Sequence, residues 1–362
     1  MKIKRLELTS FRNYGSMETD LESGINIFYG DNAQGKTNIL EGIYLICTTR
    51  SHKKSRDAEM IRFGEDEAHL RIFLEKREIE YKIDMHLKKG SKKHIAINSL
   101  PIKRASELLG IANIVFFSPE DLSIIKNSPS ERRRFVDMEL SQLDKVYLST
   151  LSGYSKALEQ KNKLLRDISH SAGDSSEELL NVWDEKLLEL GTGIIKKRRE
   201  FIEDLNHILK EKNREISGKD EVLSCSYEPD ADISSYERML KERREADKRY
   251  GSTSVGPHRD DIGFSLDGVD LRKYGSQGQV RTASLSLKLS EIELVKIKTG
   301  DSPILLLDDV LSELDSSRQR LLLKSIGGIQ TLITCTGLDE FIKNGFSGDS
   351  VFYVKNAEVT RM

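Results

Sequence analysis

Residues 28–37 read Phe-Tyr-Gly-Asp-Asn-Ala-Gln-Gly-Lys-Thr. The pattern GxxxxGK[ST] lies between an apolar run, Ile25–Phe28, and a helix-periodic stretch carrying Ile39, Leu40, Ile43 and Tyr44. A strand, a glycine-rich turn and a helix in that order form a phosphate-binding loop, and few folds accommodate one. Gly30 and Gly35 let the backbone wrap a phosphate chain. Backbone N–H groups and the helix N-terminus supply positive potential. Gly30, Asp31, Asn32, Ala33, Gln34, Gly35, Lys36, Thr37 and Asn38 are therefore the candidate nucleotide contacts. Lys36 is expected to reach the β- and γ-phosphates, and the Thr37 hydroxyl to ligate Mg²⁺.

A partner motif stands far down the chain. Residues 303–315 read Pro-Ile-Leu-Leu-Leu-Asp-Asp-Val-Leu-Ser-Glu-Leu-Asp, a central strand with two acids at its C-terminal end. In open α/β sheets that end is where ligands bind. Asp308 is the candidate Mg²⁺ ligand, and Asp309 the candidate catalytic carboxylate that polarises water, acting with Lys36. Lys36 and Asp308 lie 272 positions apart (308 − 36). A compact nucleotide-binding sheet needs much less chain, so part of the interval is an insertion.

The periodicity places that insertion. Strand patterns occupy residues 3–9, 25–28, 70–74, 79–87, 94–97 and 114–117. From Glu120 to about 217 the chain is charged and helix-periodic, with Gly-containing breaks at Ser171-Ala-Gly173 and Gly191-Thr-Gly193. Strand signals return at 222–227, residues 251–268 are turn-rich, and 281–298 is a strong helix before the strands at 304–307 and 332–334. The expected organisation is a discontinuous α/β domain, 1–118 and 218–362, with an all-helical arm at 119–217.

Composition narrows the classes. The chain has 362 residues, 37% hydrophobic and 32% charged. No window reaches the roughly 20 apolar residues of a membrane span. Met1-Lys-Ile-Lys-Arg5 has no apolar leader pattern. Cys47, Cys225 and Cys335 are too dispersed for a disulfide framework, which fits a cytoplasmic protein. The net charge of −2 excludes a chain that is basic throughout. Positive side chains nevertheless clump at Arg50–Arg56, at Lys88, Lys89, Lys92 and Lys93, and at Lys103 and Arg104. Such segments are candidates for a DNA groove, or form a solvated charged face. Arg132–Arg134 and Lys196–Arg199 read first as ion pairing on helix surfaces and second as a DNA or partner surface.

Residues 274–281 read Tyr-Gly-Ser-Gln-Gly-Gln-Val-Arg and lead into a helix. This turn resembles the signature motif of ABC-type ATPases, approximately LSGGQ, and Ser312-Glu-Leu-Asp315 resembles the loop that follows the carboxylates in that class. Together with Phe11-Arg-Asn-Tyr14, Leu40-Glu41, Arg50-Ser-His52, Phe117-Ser-Pro-Glu-Asp-Leu122 and Gly256-Pro-His-Arg-Asp-Asp261, the chain resembles the RecF family of bacterial recombination-repair ATPases, relatives of the SMC heads. The resemblance runs from residue 11 to about 315.

The resemblance implies an α/β fold of the ABC-type P-loop ATPase head with a short helical arm. It implies ATP and Mg²⁺ as cofactors and an ATP-dependent homodimer. In that dimer Ser276, Gln277, Gly278 and Gln279 of one chain cap the γ-phosphate bound to the other. It further implies weak DNA-stimulated ATP hydrolysis and binding to duplex, single-stranded and gapped DNA. Roles in replication, DNA-damage repair and the SOS response follow, with RecO and RecR assisting the loading of RecA on single-stranded DNA. The alternative is another SMC-like or a transporter-type ABC ATPase subunit.

Some positions depart from the general ABC pattern. Gln277 replaces the first glycine of LSGGQ, and Asp309 stands where transporter-type members carry Glu. No His follows the strand at 332–334, which leaves Thr334 or Thr336 for a switch role. Ser118–Asp121 occupies the place of the glutamine loop. Arg12 and Tyr14 are candidates for contacts to the base or α-phosphate. His258 and Arg259 are either a structural corner or a sensing element.

Overall fold

The structure, a computed structural model, describes residues 1–170, 177–338 and 348–362. The break expected at Ser171-Ala-Gly173 lies outside the described residues. The chain begins with β1 (Lys2–Phe11), β2 (Tyr14–Asp20) and β3 (Ile25–Tyr29), then α1 (Lys36–Thr48). β4 (Glu67–Lys76), β5 (Ile79–Lys88), β6 (His94–Ile97) and β7 (Leu100–Pro101) precede α2 (Ala105–Leu108) and β8 (Ile114–Phe117). The helices α3 (Pro129–Leu143), α4 (Lys145–His170) and α5 (Glu177–Ser217) follow. Next are β9 (Leu223–Glu228), α6 (Ile233–Tyr250), β10 (Asp261–Leu266), β11 (Val269–Asp270), α7 (Leu271–Tyr274) and α8 (Gln277–Thr299). β12 (Ile304–Asp308), α9 (Ser316–Ser325), β13 (Thr331–Cys335), β14 (Ser350–Lys355) and β15 (Glu358–Arg361) complete the order.

The chain divides into two compact units, 1–122 with 287–362, and 123–286. The first unit holds a sheet of order β15-β14-β3-β13-β12-β8, parallel except for β15. β3, β13, β12 and β8 are buried almost throughout, as elements covered on both faces are. β13 separates β3 from β12, so the phosphate loop and the carboxylate pair leave the same end of the sheet on either side of Thr334. The second sheet of this unit, β2-β1-β4-β5-β6-β7, is antiparallel. Along β4, Ala68, Leu70, Ile72 and Leu74 are buried, and the alternate residues Glu67, His69 and Arg71 face outward.

The second unit joins α3–α6 to the sheet β11-β10-β9. Residues 218–286, expected with the ATPase domain, belong to this unit instead. Side chains of the long helix bind the strand directly. Asn206 of α5 exchanges two hydrogen bonds with the Cys225 backbone, at 2.7 and 2.8 Å, and Asn213 donates to the Glu221 carbonyl at 3.0 Å. The break expected at Gly191-Thr-Gly193 is also absent, because α5 runs through it. Gly191 is instead a packing residue: a Cβ there would meet the Tyr236 ring at 2.6 Å. Among the described residues no helix is long and apolar enough to cross a membrane.

Candidate nucleotide site

Gly30 and Gly35 have φ of +152° and +112°, which side-chain-bearing residues rarely adopt. Space is restricted as well. A Cβ on Gly30 would meet the Val354 carbonyl at 2.3 Å, and one on Gly35 would meet Asn13 at 2.6 Å and the Tyr14 hydroxyl at 2.9 Å. Lys36 is buried and donates to the Gly30 and Asp31 carbonyls at 2.6 and 2.7 Å. Burial lowers its pKa, against the attraction of Asp309 and Asp308.

Thr37 and Asp308, 271 positions apart, meet at 2.8 Å between Oγ1 and Oδ1. Thr334 Oγ1 donates to the same carboxylate oxygen at 2.7 Å and accepts from the Asp309 N–H at 3.0 Å. Of the two switch candidates, the structure places Thr334 on the carboxylates. Asp309 has φ of +52°. A non-glycine residue is held there only by its surroundings, here the N–H bond to Thr334 and the Ser312 hydroxyl on its carbonyl. Burial raises the pKa of Asp309, with Lys36 pulling the other way. Thr37 and Asp308 offer hard oxygen donors side by side, a set that suits Mg²⁺.

Two segments brace the loop. Asn13 Nδ2 donates to the Gln34 carbonyl at 3.2 Å, and its Oδ1 accepts from Asn38 at 2.8 Å. The Tyr14 hydroxyl, fully buried, donates to the Gly35 carbonyl at 3.2 Å. The turn between β14 and β15 supplies the other brace. Asn356 N–H donates to Gln34 Oε1 at 2.7 Å and Ala357 N–H to the Gln34 carbonyl at 3.2 Å. This hairpin was missed by sequence reasoning. Its signal is the Asn-Ala pair between two alternating runs, and both residues have positive φ.

The turn at Ser276–Gln279 is exposed. Ser276 and Gln279 form a reciprocal capping pair: Ser276 N–H donates to Gln279 Oε1 at 3.0 Å, and Gln279 N–H to Ser276 Oγ at 3.3 Å. Gly278 has no atom within 4 Å of where a Cβ would stand. Among the described residues, nothing in the packing requires glycine there. Ser118–Asp121 closes a small turn, with Asp121 accepting from the Ser118 backbone and hydroxyl at 2.8 and 3.0 Å.

The family model for the RecF/RecN/SMC N-terminal domain matches residues 2–358. The DNA replication and repair protein RecF of Agathobacter rectalis is 58% identical over 359 residues, 99% of each chain. That of Lachnospira eligens is 54% identical over the same shares. The chain belongs to the RecF family. A solved structure of the recombination mediator protein RecF with ATP, described in the RecFOR pathway, aligns with a TM-score of 0.93 at 37% identity, covering 99% of this chain and 97% of that one. An Smc head bound to a domain of ScpA aligns at 0.57 and 17% identity, a likeness of fold alone. The ABC-type ATPase head expected from the motifs is the fold observed.

Arg12 takes a role different from the one expected above, and the Gly-Pro-His-Arg-Asp-Asp segment takes one of the two left open. Arg12 does not face the phosphate loop. It holds Glu41 through two bonds of 2.8 and 2.7 Å, and donates to Ser55 Oγ at 2.6 Å and the Glu59 carbonyl at 2.8 Å. Burial works to raise the Glu41 pKa, but the Arg12 and Ser51 hydrogen bonds prevail and hold it below the usual range. The His52 ring packs at a tilt of 30° against Phe116, with centroids 4.2 Å apart. The FRNY, Leu-Glu and Arg-Ser-His motifs are thus one assembly around α1.

The Gly-Pro-His-Arg-Asp-Asp segment is a structural corner of the second unit. Gly256 has φ of +131°, and its Cβ position lies 2.6 Å from the hydroxyls of both Tyr154 and Tyr236. Arg198 binds Asp260 at 2.7 Å and the Pro257 carbonyl at 2.6 Å, and Arg132 forms a two-bond pair with Asp261 at 2.8 Å. Arg132 and Arg198 are buried, not on the helix surface as expected, and neither is open to DNA. Lys53, Lys54, Lys88 and Lys89 are exposed. Lys93 ties their two segments together, donating to the Thr49 carbonyl and Asp57, both at 2.8 Å.

Proposed function

We propose that this chain is an ATP-dependent DNA-binding protein of replication and recombinational repair. As a RecF-family member it has relatives named for DNA replication and repair and seen with ATP. ATP binds at the loop Gly30–Asn38. Lys36 exchanges its two carbonyl partners for β- and γ-phosphate oxygens, so its charge moves onto the ligand without rebuilding the loop. Thr37 and Asp308 would hold Mg²⁺, which supplies charge neutralisation on the phosphate oxygens. Asp309, with a raised pKa and an imposed backbone conformation, orients and polarises the attacking water. Its short side chain accords with weak hydrolysis.

Ser276, Gln277, Gly278 and Gln279 of a second chain complete the site, closing an ATP-dependent homodimer. The observation that carries this is Gly278: an exposed glycine at a preformed helix start that the chain's own packing does not require. Close approach of a phosphate to its backbone explains it. The exposed lysines at 53, 54, 88 and 89 then supply phosphate contacts to duplex or gapped DNA. Cooperation with RecO and RecR in loading RecA completes the role.

The test is the mass in solution without nucleotide, with ADP and with ATP, each with and without gapped duplex DNA. A dimer that forms with ATP alone among the nucleotides, and is strengthened by DNA, is the expected result. A monomer in every condition contradicts the dimer and leaves a P-loop ATPase acting alone.

A further inference from the structure

Three of the chain's seven histidines occupy one patch of the antiparallel sheet. The strand registers put them there. His69 of β4 lies opposite His86 of β5, and His86 lies opposite His94 of β6. Directly paired residues of adjacent strands bring their side chains together on one face. Here it is the outward face, since Ala68 and Leu70 beside His69, and Met85 and Leu87 beside His86, point into the core.

The rings of His69 and His86 stack, with centroids 4.2 Å apart and planes 8° from parallel. The His94 ring is 6.3 Å from that of His86. Glu67 completes the group: its Oε2 is 3.1 Å from His86 Nε2, and its Oε1 is 4.0 Å from His69 Nε2. One donor atom from each of Glu67, His69 and His86 lies within 4.8 Å of the others. The three imidazoles border an open cleft of about 360 Å³ that also takes in Thr9, Arg71 and Asp84.

The two rings lie face to face on the outer side of the sheet. Burial and the neighbouring His86 lower the His69 pKa. Neutral imidazole is the form that ligates metal. Two nitrogens and a carboxylate oxygen, with a further imidazole next on the ladder and open space above, are the donor types of a zinc-type ligand set, and rotation of one exposed ring about χ2 aims both nitrogens at one ion. Such ligands discriminate against Mg²⁺, which prefers oxygen donors such as the Thr37 and Asp308 pair.

We propose that Glu67, His69 and His86 form a binding site for a divalent transition metal of the zinc class, with His94 as the nearest further donor. The site lies on the antiparallel sheet, separate from the phosphate loop, and does not depend on the proposed ATP chemistry.

Zn²⁺ titration of the full chain by calorimetry tests this, after metal stripping, in excess Mg²⁺ and without nucleotide. The expected result is one tight Zn²⁺ per chain. The double variant His69→Ala with His86→Ala lowers that affinity at least tenfold, and Glu67→Gln lowers it less. Metal-free melting of the double variant at the wild-type temperature verifies that it folds, since all three side chains face solvent. No Zn²⁺ uptake by the wild type, or equal uptake by the double variant, overturns the proposal.

Discussion

Lys36 in the first unit is held by two backbone carbonyls, whereas Arg198 in the second is held by the carboxylates of Asp137 and Asp260 and the Pro257 carbonyl. Both cations are buried. Only one keeps a charge for a ligand. Carbonyl dipoles solvate an ammonium without neutralising it, so Lys36 retains net positive charge, as the proposed phosphate contact requires. Paired carboxylates neutralise the guanidinium, so Arg198 organises its own unit. The same contrast separates the two aspartate pairs. Asp308 accepts from the Thr37 and Thr334 hydroxyls, and the backbone of Asp309 is held by the Thr334 and Ser312 hydroxyls. Asp260 and Asp261 are consumed by Arg198 and Arg132. An acid-and-base motif becomes a binding site where its charges are left unbalanced, and a corner where they cancel.

The largest expected effect tests the closed side of this contrast. Arg198→Ala leaves Asp260 buried without its cation and should destabilise the second unit by about 3–5 kcal/mol. The single tryptophan, Trp183, lies in α5 of that unit, so urea unfolding followed by its fluorescence reads the loss directly.

Acid should act on the same corner. His258 Nε2–H donates to the Thr253 carbonyl, so Nδ1 accepts from Tyr154, and burial lowers the His258 pKa from 6.5 to about 4. Between those values the unfolded chain binds a proton that the folded chain refuses. Stability is therefore present above about pH 6.5 and lost as pH falls towards 4, by on the order of 3 kcal/mol. His258→Gln should flatten that acid limb in the same fluorescence assay.

Lys36→Ala tests the open side. It should weaken ATP binding by on the order of a hundredfold, about 2.7 kcal/mol, while the Trp183 unfolding midpoint stays in place. A shift of that midpoint would mean that Lys36 is structural like Arg198. A smaller effect is expected from Asn13→Ala, which removes the bonds to Gln34 and Asn38. ATP affinity should fall several-fold, on the scale of about 1 kcal/mol for lost hydrogen bonds, measured by equilibrium binding of a fluorescent ATP analogue.

These contrasts also separate what the sequence shows from what it hides. The meeting of the Gly30–Thr37 loop with Asp308 was legible because a glycine-rich loop before a helix and an acid-ended central strand have a fixed residue type and order. The apolar runs of β3, β8, β12 and β13 were legible because burial on both faces leaves no alternation to confuse. The fate of Arg132 and Arg198 was not, because a charge run on a helix looks the same whether solvent or an aspartate more than sixty positions away receives it. Gly191 read as a break because Tyr236, the reason for the glycine, lies on another helix. That helix, α6, escaped notice among its charges, although Asp232 before Ile233, Tyr236 and Leu240 gives the N-cap and apolar spacing. The hairpin over Gln34 and the histidine ladder both depend on strand pairing, which periodicity alone does not specify.

The central claim is that one chain's phosphate loop is completed by another chain's Ser276–Gln279 turn. Sedimentation with ATP of Lys36→Ala, of Ser276→Arg, and of the two mixed tests it most directly. Each variant alone should remain monomeric, with Ser276→Arg still binding ATP. The mixture should form a dimer, because it alone unites an intact loop with an intact turn. A Ser276→Arg chain that dimerises by itself with ATP would contradict the account.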